Sequence, residues 1–424
     1  MFYTNVFTYK GKIYLRGIDE NDEPFKEIIK YKPYLFINSP TGEGDYRTIY
    51  GDKVIKKDFA SISQARKYIQ QFDDVEGHTI YGISIFEYLY VNDIWEDDIE
   101  YDPSLISIVS LDIETKIGDT DITTAVQTAP NEVTAITLSK NGKFYTFGCG
   151  DYVQHHEDVT YIKCKDELDL LEKFLTAWEY LNPDVMTGWN IEFFDIPYLV
   201  NRIRRLMGES FVKRLSPWGL VSPYQVELKG QKIDTYNLEG IANLDYISLY
   251  KKFIFVKQES YALDHIAYVE LGEQKLDYSE YANLDELHDK DYQKYIEYNI
   301  RDTYLVNELD SKLKLIELIF AMAYDSKVNY RDTMTTVRQW DVIIHNYLLK
   351  HNIVVPPMEV SSASSLVGGY VKDPYVGGHE WVVSFDLNSL YPSLIQQYNI
   401  SPDKHIEKAF LRRKILEEKS KRGI

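Results

Sequence analysis

Only two of the 424 residues are cysteine, Cys149 and Cys164. That excludes a disulfide framework and a cysteine-built zinc site. No stretch reaches the ~18 consecutive apolar residues of a membrane span. The opening MFYTNVFTYKGKIYL has neither a basic segment nor an apolar core. No secretory signal is evident, and a cytoplasmic location is expected. Cations are scarce: 47 Lys and Arg face 66 Asp and Glu, a formal charge of −19. That balance argues against non-specific nucleic-acid binding, while leaving room for a local basic groove. Internal repeats and low-complexity tracts are also missing.

What is present suits a soluble chain of two or three domains, 44% hydrophobic and 27% charged. Tyrosine is abundant, at 36 residues beside 18 Phe. Aromatics can stack on unpaired bases, although packing takes most of them. FYTNVFTYKGKIYLRGID reads as a hairpin around a Gly turn and SISQARKYIQQFDD as a helix. IFEYLYV reads as a strand, and the acidic DIWEDDIEYD as a surface linker. ISIVSLDIE, EVTAITLSK and GKFYTFGCG read as strands, the last two joined at NGK (141–143). DELDLLEKFLTAWEYL is a helix with apolar Leu168, Leu171, Leu175 and Trp178. Strand DVMTGWN, helix IPYLVNRIRRLMG and a hairpin at VELKGQKI (226–233) follow. Helices recur from 291 to 350. SSASSLVGGYV is a Ser/Gly-rich junction, EWVVSFDLNSLYPSLI a new strand, and KAFLRRKILEEKSKRGI a basic helical run. Strands mixed with helices in this order imply an α/β fold with a mixed sheet.

One strand poses a chemical problem. In LISIVSLDIET, Val109, Leu111 and Ile113 share one face, while Asp112 and Glu114 leave the other. Two carboxylates at the end of a buried strand repel each other, and each costs several kcal/mol to desolvate. Partners are needed. TGWNIEFFDIPYLVNRI places Asp195 at or near a helix start, with Pro197 in the first turn and Ile196, Leu199, Val200, Ile203 and Leu206 as the apolar face. Alone, Asp195 reads as a capping residue. In YIEYNIRDTYLVNEL, Tyr298 and Asp302 lie one helical turn apart on the face that Leu305 and Leu309 continue. Alone, a Tyr–Asp hydrogen bond or a pairing with neighbours of Arg301 would satisfy that acid. Together, Asp112, Glu114, Asp195 and Asp302 could hold two divalent cations, Mg²⁺ or Mn²⁺, because hard oxygen ligands suit them. Two such ions ~4 Å apart stabilise both the attacking and the leaving oxygen of a phosphoryl displacement.

DIET, TGWNIEFFD and YNIRD together resemble the three exonuclease motifs of the proofreading domain of family B DNA polymerases, in particular the replicative polymerases of T-even-like tailed bacteriophages. GES..KRLSP, LDYI.LYKKF and SFDL.SLYPS add to the likeness, which runs from about residue 2 to 402. The resemblance implies a ribonuclease-H-like exonuclease domain at 105–314. An N-terminal α/β domain at 1–104, completed by 315–357, would precede it, and the start of a polymerase palm at 358–424 would follow. It implies that Asp112, Glu114, Asp195 and Asp302 hold two metal ions and that Tyr298 orients the attacking water. It makes Asn190, Phe193, Phe194 and Lys275 candidates for contact with DNA, Lys275 as a charge near the site and the two Phe as a wedge on the terminal base. Core packing is the competing role for at least one Phe. The VELKGQKI hairpin resembles an element that separates the primer strand; a plain surface hairpin would read the same.

SFDLNSLYPS resembles polymerase motif A. That implies Asp386 as a metal ligand, Tyr391 under the incoming sugar, and the backbone of Leu387, Ser389 and Leu390 around its triphosphate. SLVGGYV (365–371) resembles the junction that passes DNA between two active sites. The family's fingers motif and its YGDTDS-type motif are missing. The YGD at Tyr50–Asp52 is followed by Lys53 and is a chance match. One carboxylate cannot position two metals, so this sequence alone is not expected to polymerise. The expectation is a 3′→5′ exonuclease on single-stranded or primer-template DNA, belonging to a truncated or naturally split polymerase. The alternative is an assembly subunit, completed by a second chain with motifs B and C and open to other replication proteins. A third reading, a nuclease of RNA hybrids, is opposed by the Tyr-type third motif.

Overall fold

The computed structural model describes residues 1–72, 75, 77–118, 120–228, 231–357, 368–401 and 404. Contacts divide the chain into two units. The first holds Met1–Pro33, Phe59–Gln64 and Ile85–Ile344, and the second Tyr34–Asp58, Ala65–Ser84 and His345–Ile424.

The first unit begins with an antiparallel sheet of β1 (Phe2–Tyr9), β2 (Lys12–Ile18) and β3 (Pro24–Ile29). Its first turn is Lys10-Gly11, both left-handed (φ 47° and 73°), as a tight hairpin demands. In the second unit β4 (Tyr34–Asn38), β5 (Tyr46–Thr48), β6 (Lys53–Asp58) and β7 (Ile80–Tyr81) belong to one mixed sheet. Helix α1 (Ile62–Phe72) lies where the alternation of apolar and polar residues changes to helical spacing. The next helix, α2 (Phe86–Ile94), corrects the strand expected at IFEYLYV. Phe86, Tyr88, Leu89, Tyr90 and Val91 are all buried. An element buried on every side shows no periodicity that separates helix from strand, and here packing overrides the β-propensity of its aromatics.

The centre of the first unit is a six-stranded mixed sheet. Its strands in chain order are β8 (Ile108–Thr115), β9 (Val133–Lys140), β10 (Lys143–Gly148), β11 (Val159–Lys163), β12 (Val185–Gly188) and, after the hairpin β13 (Val221–Leu228) and β14 (Gln231–Leu238), β15 (Ala242–Asp245). The spatial order is β11-β10-β9-β8-β12-β15. β8 runs antiparallel to β9 and parallel to β12, which makes it an interior strand. Asn141-Gly142, both left-handed, closes the β9–β10 hairpin. The parallel strand β11 was not foreseen from the sequence; it is short, and only the non-local pairing of Phe144 with Val159 and of its successors defines it.

The helices then explain which face of β8 does what. α3 (Ile122–Thr128), α4 (Glu167–Leu181) and α5 (Asp195–Met207) lead on to α6 (Glu209–Val212), α7 (Tyr246–Phe253), α8 (Leu263–Leu271), α9 (Leu284–Lys290), α10 (Tyr292–Leu313) and α11 (Leu315–Ser326). α4 starts where the Asp166 carboxylate accepts the Asp169 N–H and ends at left-handed Asn182. Val109, Leu111 and Ile113 of β8 join Leu171, Leu175 and Trp178 of α4 and Ile196, Leu199 and Ile203 of α5 in one core. Each such side chain contributes about 1.5–3 kcal/mol by leaving water. Two residues expected on these apolar faces are displaced: Leu168 is 50% exposed and Leu206 37%. Both lie in a terminal turn of their helix, beyond the reach of the sheet. The opposite face of β8, with Ser110, Asp112 and Glu114, is covered by α10. Both faces are thus covered.

α12 (Thr336–Lys350) precedes β16 (Ile353–Val354), which completes the second unit's sheet in the order β16-β5-β6-β4-β7. The strand expected at EWVVSFDLNSLYPSLI is not formed. Residues 382–387 have no regular structure, and α13 (Leu390–Tyr398) follows. A strand needs a neighbour for its N–H and C=O groups, and among the described residues none pairs with this segment.

Candidate active site

The interior position of β8 and the register of α10 bring three acids together. One carboxylate oxygen each of Asp112, Glu114 and Asp302 lies within 4.8 Å of the others. At that spacing two like charges repel by about 3 kcal/mol even at an effective dielectric of 20. Burial, then Asp302, Asp195 and Glu114, pushes the Asp112 carboxyl well above the usual carboxylate range. Burial and Asp302 push Glu114 up to about 8. Asp302 is also raised by burial, and Lys275 opposes that. The Lys275 ammonium pairs with Asp302 Oδ2 and donates to the Tyr298 hydroxyl at 3.0 Å. Asp302 Oδ1 is buried and has no hydrogen-bond partner among the described residues.

These features suit a hard divalent cation. All the donors are carboxylate oxygens, they converge, and one is buried without a partner among the described residues. Without a cation, burial and mutual repulsion favour the protonated form, most plainly at Glu114. That answers what could neutralise the pair on β8.

Asp195 stands outside the trio. It is the first residue of α5, 4% exposed, and its Oδ1 accepts the Ile113 N–H at 3.0 Å. It therefore braces the strand between Asp112 and Glu114. Burial raises its carboxyl to about 7 against the pull of that backbone bond. The turn before it depends on Gly188, where a Cβ would come 2.4 Å from the Leu111 carbonyl oxygen. Asn190 is left-handed (φ 68°). Its N–H and that of Glu192 donate to the Asp245 carboxylate at 3.0 and 2.9 Å. Asp245 also caps α7 and is pushed up to about 7 by burial. The sequence reading gave Asp245 no role; the LDY cap pattern before α7 was the available signal. Phe194 stacks on Tyr198 (5.5 Å, 29°) at the core's edge, and Phe193 is half-buried.

Tyr298 is 6% exposed, with Tyr278 edge-on at 5.4 Å. The partner of Asp302 is Lys275, neither Tyr298 directly nor a neighbour of Arg301; Arg301 pairs with Glu273. Asn299, 0% exposed, donates from Nδ2 to Asp112 Oδ2 at 2.6 Å and was missed. Its place three residues before Asp302, on the same helix face, was the signal.

β13 and β14 make the hairpin at VELKGQKI, but its turn, Lys229-Gly230, lies outside the described residues, as do 365–367 of SLVGGYV and the basic tail. Asp386 and Ser389 are exposed, as are Leu387 (70%), Leu390 (43%) and Tyr391 (73%). No helix among the described residues is long and apolar enough to cross a membrane.

Comparison with known proteins follows the same division. Residues 62–266 match the exonuclease domain of DNA polymerase family B, and 329–422 match DNA polymerase family B itself. The chain is 34% identical over 430 residues to the DNA-directed DNA polymerase of Escherichia phage RB69. It is 32% identical over 432 residues to that of Enterobacteria phage T4. Each alignment covers 95% of this chain and 47% of the relative. The DNA polymerase delta catalytic subunit of Bos taurus is 25% identical over 245 residues, 55% of this chain and 22% of that protein. The chain thus spans about half the length of the phage relatives.

Proposed function

Because the chain belongs to the family B DNA polymerases, we propose that residues 105–314 form a 3′→5′ DNA exonuclease acting on single-stranded or frayed 3′ ends. The observation that carries this reading is the convergence of Asp112, Glu114 and Asp302 within 4.8 Å. In it, these three acids and Asp195 hold Mg²⁺ or Mn²⁺. Bound there, the ions supply Lewis-acid stabilisation of the charge that develops on the phosphoryl oxygens. Lys275 donates to the Tyr298 oxygen. That leaves the phenol's own proton to hold the attacking water. Burial keeps Tyr298 protonated far above neutral pH, so it serves as a donor throughout. Asn190, Phe193 and Phe194, at the mouth of α5, receive the terminal nucleotide, and Phe193 stacks on its base. A strand labelled at its last 3′ phosphodiester tests this. Release of labelled nucleoside monophosphate, faster from single strands than from paired ends, is expected. Release of dinucleotides or of 5′-terminal products would refute it.

We also propose that Asp386, Leu387, Ser389, Leu390 and Tyr391 are the motif A part of a polymerase site whose remainder lies elsewhere, on the same polypeptide or on a second one. Trp381 (96% exposed), Val382 (75%), Val383 (70%) and Phe385 (92%) support it, since so apolar a run is suited to pairing with further palm strands. Co-purification with a chain carrying motifs B and C would support the two-chain form; a natural gene encoding one continuous polymerase would exclude it.

A further inference from the structure

A polar row crosses the sheet beneath the trio. The strand register places Asp112 opposite Thr137, and Thr137 opposite Thr146. Asn299 of α10 lies over this row. Thr137 Oγ1 donates to Asn299 Oδ1 at 2.5 Å, and Asn299 Nδ2 donates to Asp112 Oδ2 at 2.6 Å. Thr137 and Thr146 hydroxyls are 2.9 Å apart. Thr137 has one proton and gives it to Asn299, so Thr146 donates to Thr137. The row therefore has one direction, Thr146 to Thr137 to Asn299 to Asp112. Turning the Asn299 amide over would set its oxygen against the Asp112 carboxylate, two acceptors in contact. Thr137, Thr146 and Asn299 are each 0% exposed, so no water competes for the bonds among these three.

We propose that Asn299 is the positioning residue of this site. It holds one oxygen of Asp112 in an N–H bond and so fixes the rotamer in which that carboxylate meets Glu114 and Asp302 for the cation. This rests on the reading of the trio as a cation site. Partners of this kind set the orientation and basicity of a metal ligand, and losing one typically weakens binding 10–100-fold.

The same helix supplies an internal control. Asn307 makes an analogous bridge on the same sheet face: Ser110 Oγ donates to its Oδ1 at 2.5 Å, and its Nδ2 donates to Ser139 at 2.8 Å. That bridge contains no member of the trio. Mn²⁺ binding to the full chain, measured by calorimetry and by the loss of the free-ion spin-resonance signal, separates the two. Asn299→Leu is expected to weaken Mn²⁺ roughly tenfold or more, and Asn307→Leu to leave it within twofold although it too unsettles the helix. Thr137→Val frees the Asn299 amide to turn and is expected to weaken Mn²⁺ about threefold, less than Asn299→Leu. It decides the matter if Asn299→Leu does not fold. Unchanged affinity in folded Asn299→Leu or Thr137→Val, or an equal loss in Asn307→Leu, overturns the proposal. A wild-type chain that binds Mn²⁺ but cuts no DNA, with the binding weakened by Asn299→Leu, would refute the nuclease reading alone.

Discussion

Asp112 and Asp386 end similar apolar runs, LISIVSLD and EWVVSFD, yet their surroundings are opposite. The first run is an interior strand with a core on one face and α10 on the other. Its acid has a fixed amide donor and two acidic neighbours within 4.8 Å. The second run has no strand partner among the described residues, and its acid is exposed. The lesson concerns preorganisation. Side chains of the right type are not a site until neighbours fix their rotamers and raise their charge density. By that measure the first unit carries a built site and the segment at 381–391 carries its raw material.

The largest contrast should come from the acids themselves. Asp112→Ala with Glu114→Ala is expected to lower the exonuclease rate on the order of 10³-fold or more, while Asp386→Ala leaves it within twofold in a gel assay. Core substitutions should divide the regions next. Leu111→Ala is expected to cost about 2–5 kcal/mol in denaturant unfolding, and Val383→Ala below about 0.5 kcal/mol.

Acidity gives a contrast of sign. Folding raises Glu114 to about 8 and Asp195 to about 7, well above their unfolded values. Between pH ~4.5 and 8 the folded first unit therefore binds more protons than the unfolded chain, and its stability in EDTA should fall as pH rises through that window. Mg²⁺ should restore it. In the second unit His345 is buried, both ring nitrogens have no partner among the described residues, and burial holds it down to about 4. Its contribution is lost instead as pH falls from ~6.5 towards 4. Melting followed by probes in each unit would reveal the two slopes; equal slopes would refute the assignment. Lys275→Met, which removes the cation from Asp302 and Tyr298, should cost about 1–2 kcal/mol in unfolding without metal, less with it.

These regions also differ in how legible they were. The alternation of β8, the turn Asn141-Gly142 and the apolar spacing of α4 and α5 are local signals, and they placed Asp112, Glu114 and Asp195 on the correct elements, although Asp195 is the first residue of α5 and the cap position falls to Phe194. The spacing of Tyr298 and Asp302 put both on the inward face of α10. The pairing of Asp302 with Lys275 spans 27 residues of chain, so no local pattern could have revealed it. Asn299 escaped because an asparagine amid charged neighbours reads as surface until the strand it touches is known. IFEYLYV was misread because burial on all sides erases periodicity. The run before Asp386 was misread because its residues favour a strand that needs a partner to form.

The most direct measurement uses a 5′-labelled single-stranded oligonucleotide, incubated with the chain in Mg²⁺ or in EDTA beside the Asp112→Ala/Glu114→Ala variant. A ladder that shortens from the 3′ end with wild type in Mg²⁺, and in no other lane, is the expected result. An intact oligonucleotide with folded, cation-loaded wild type, or equal shortening by the double variant, would contradict the account.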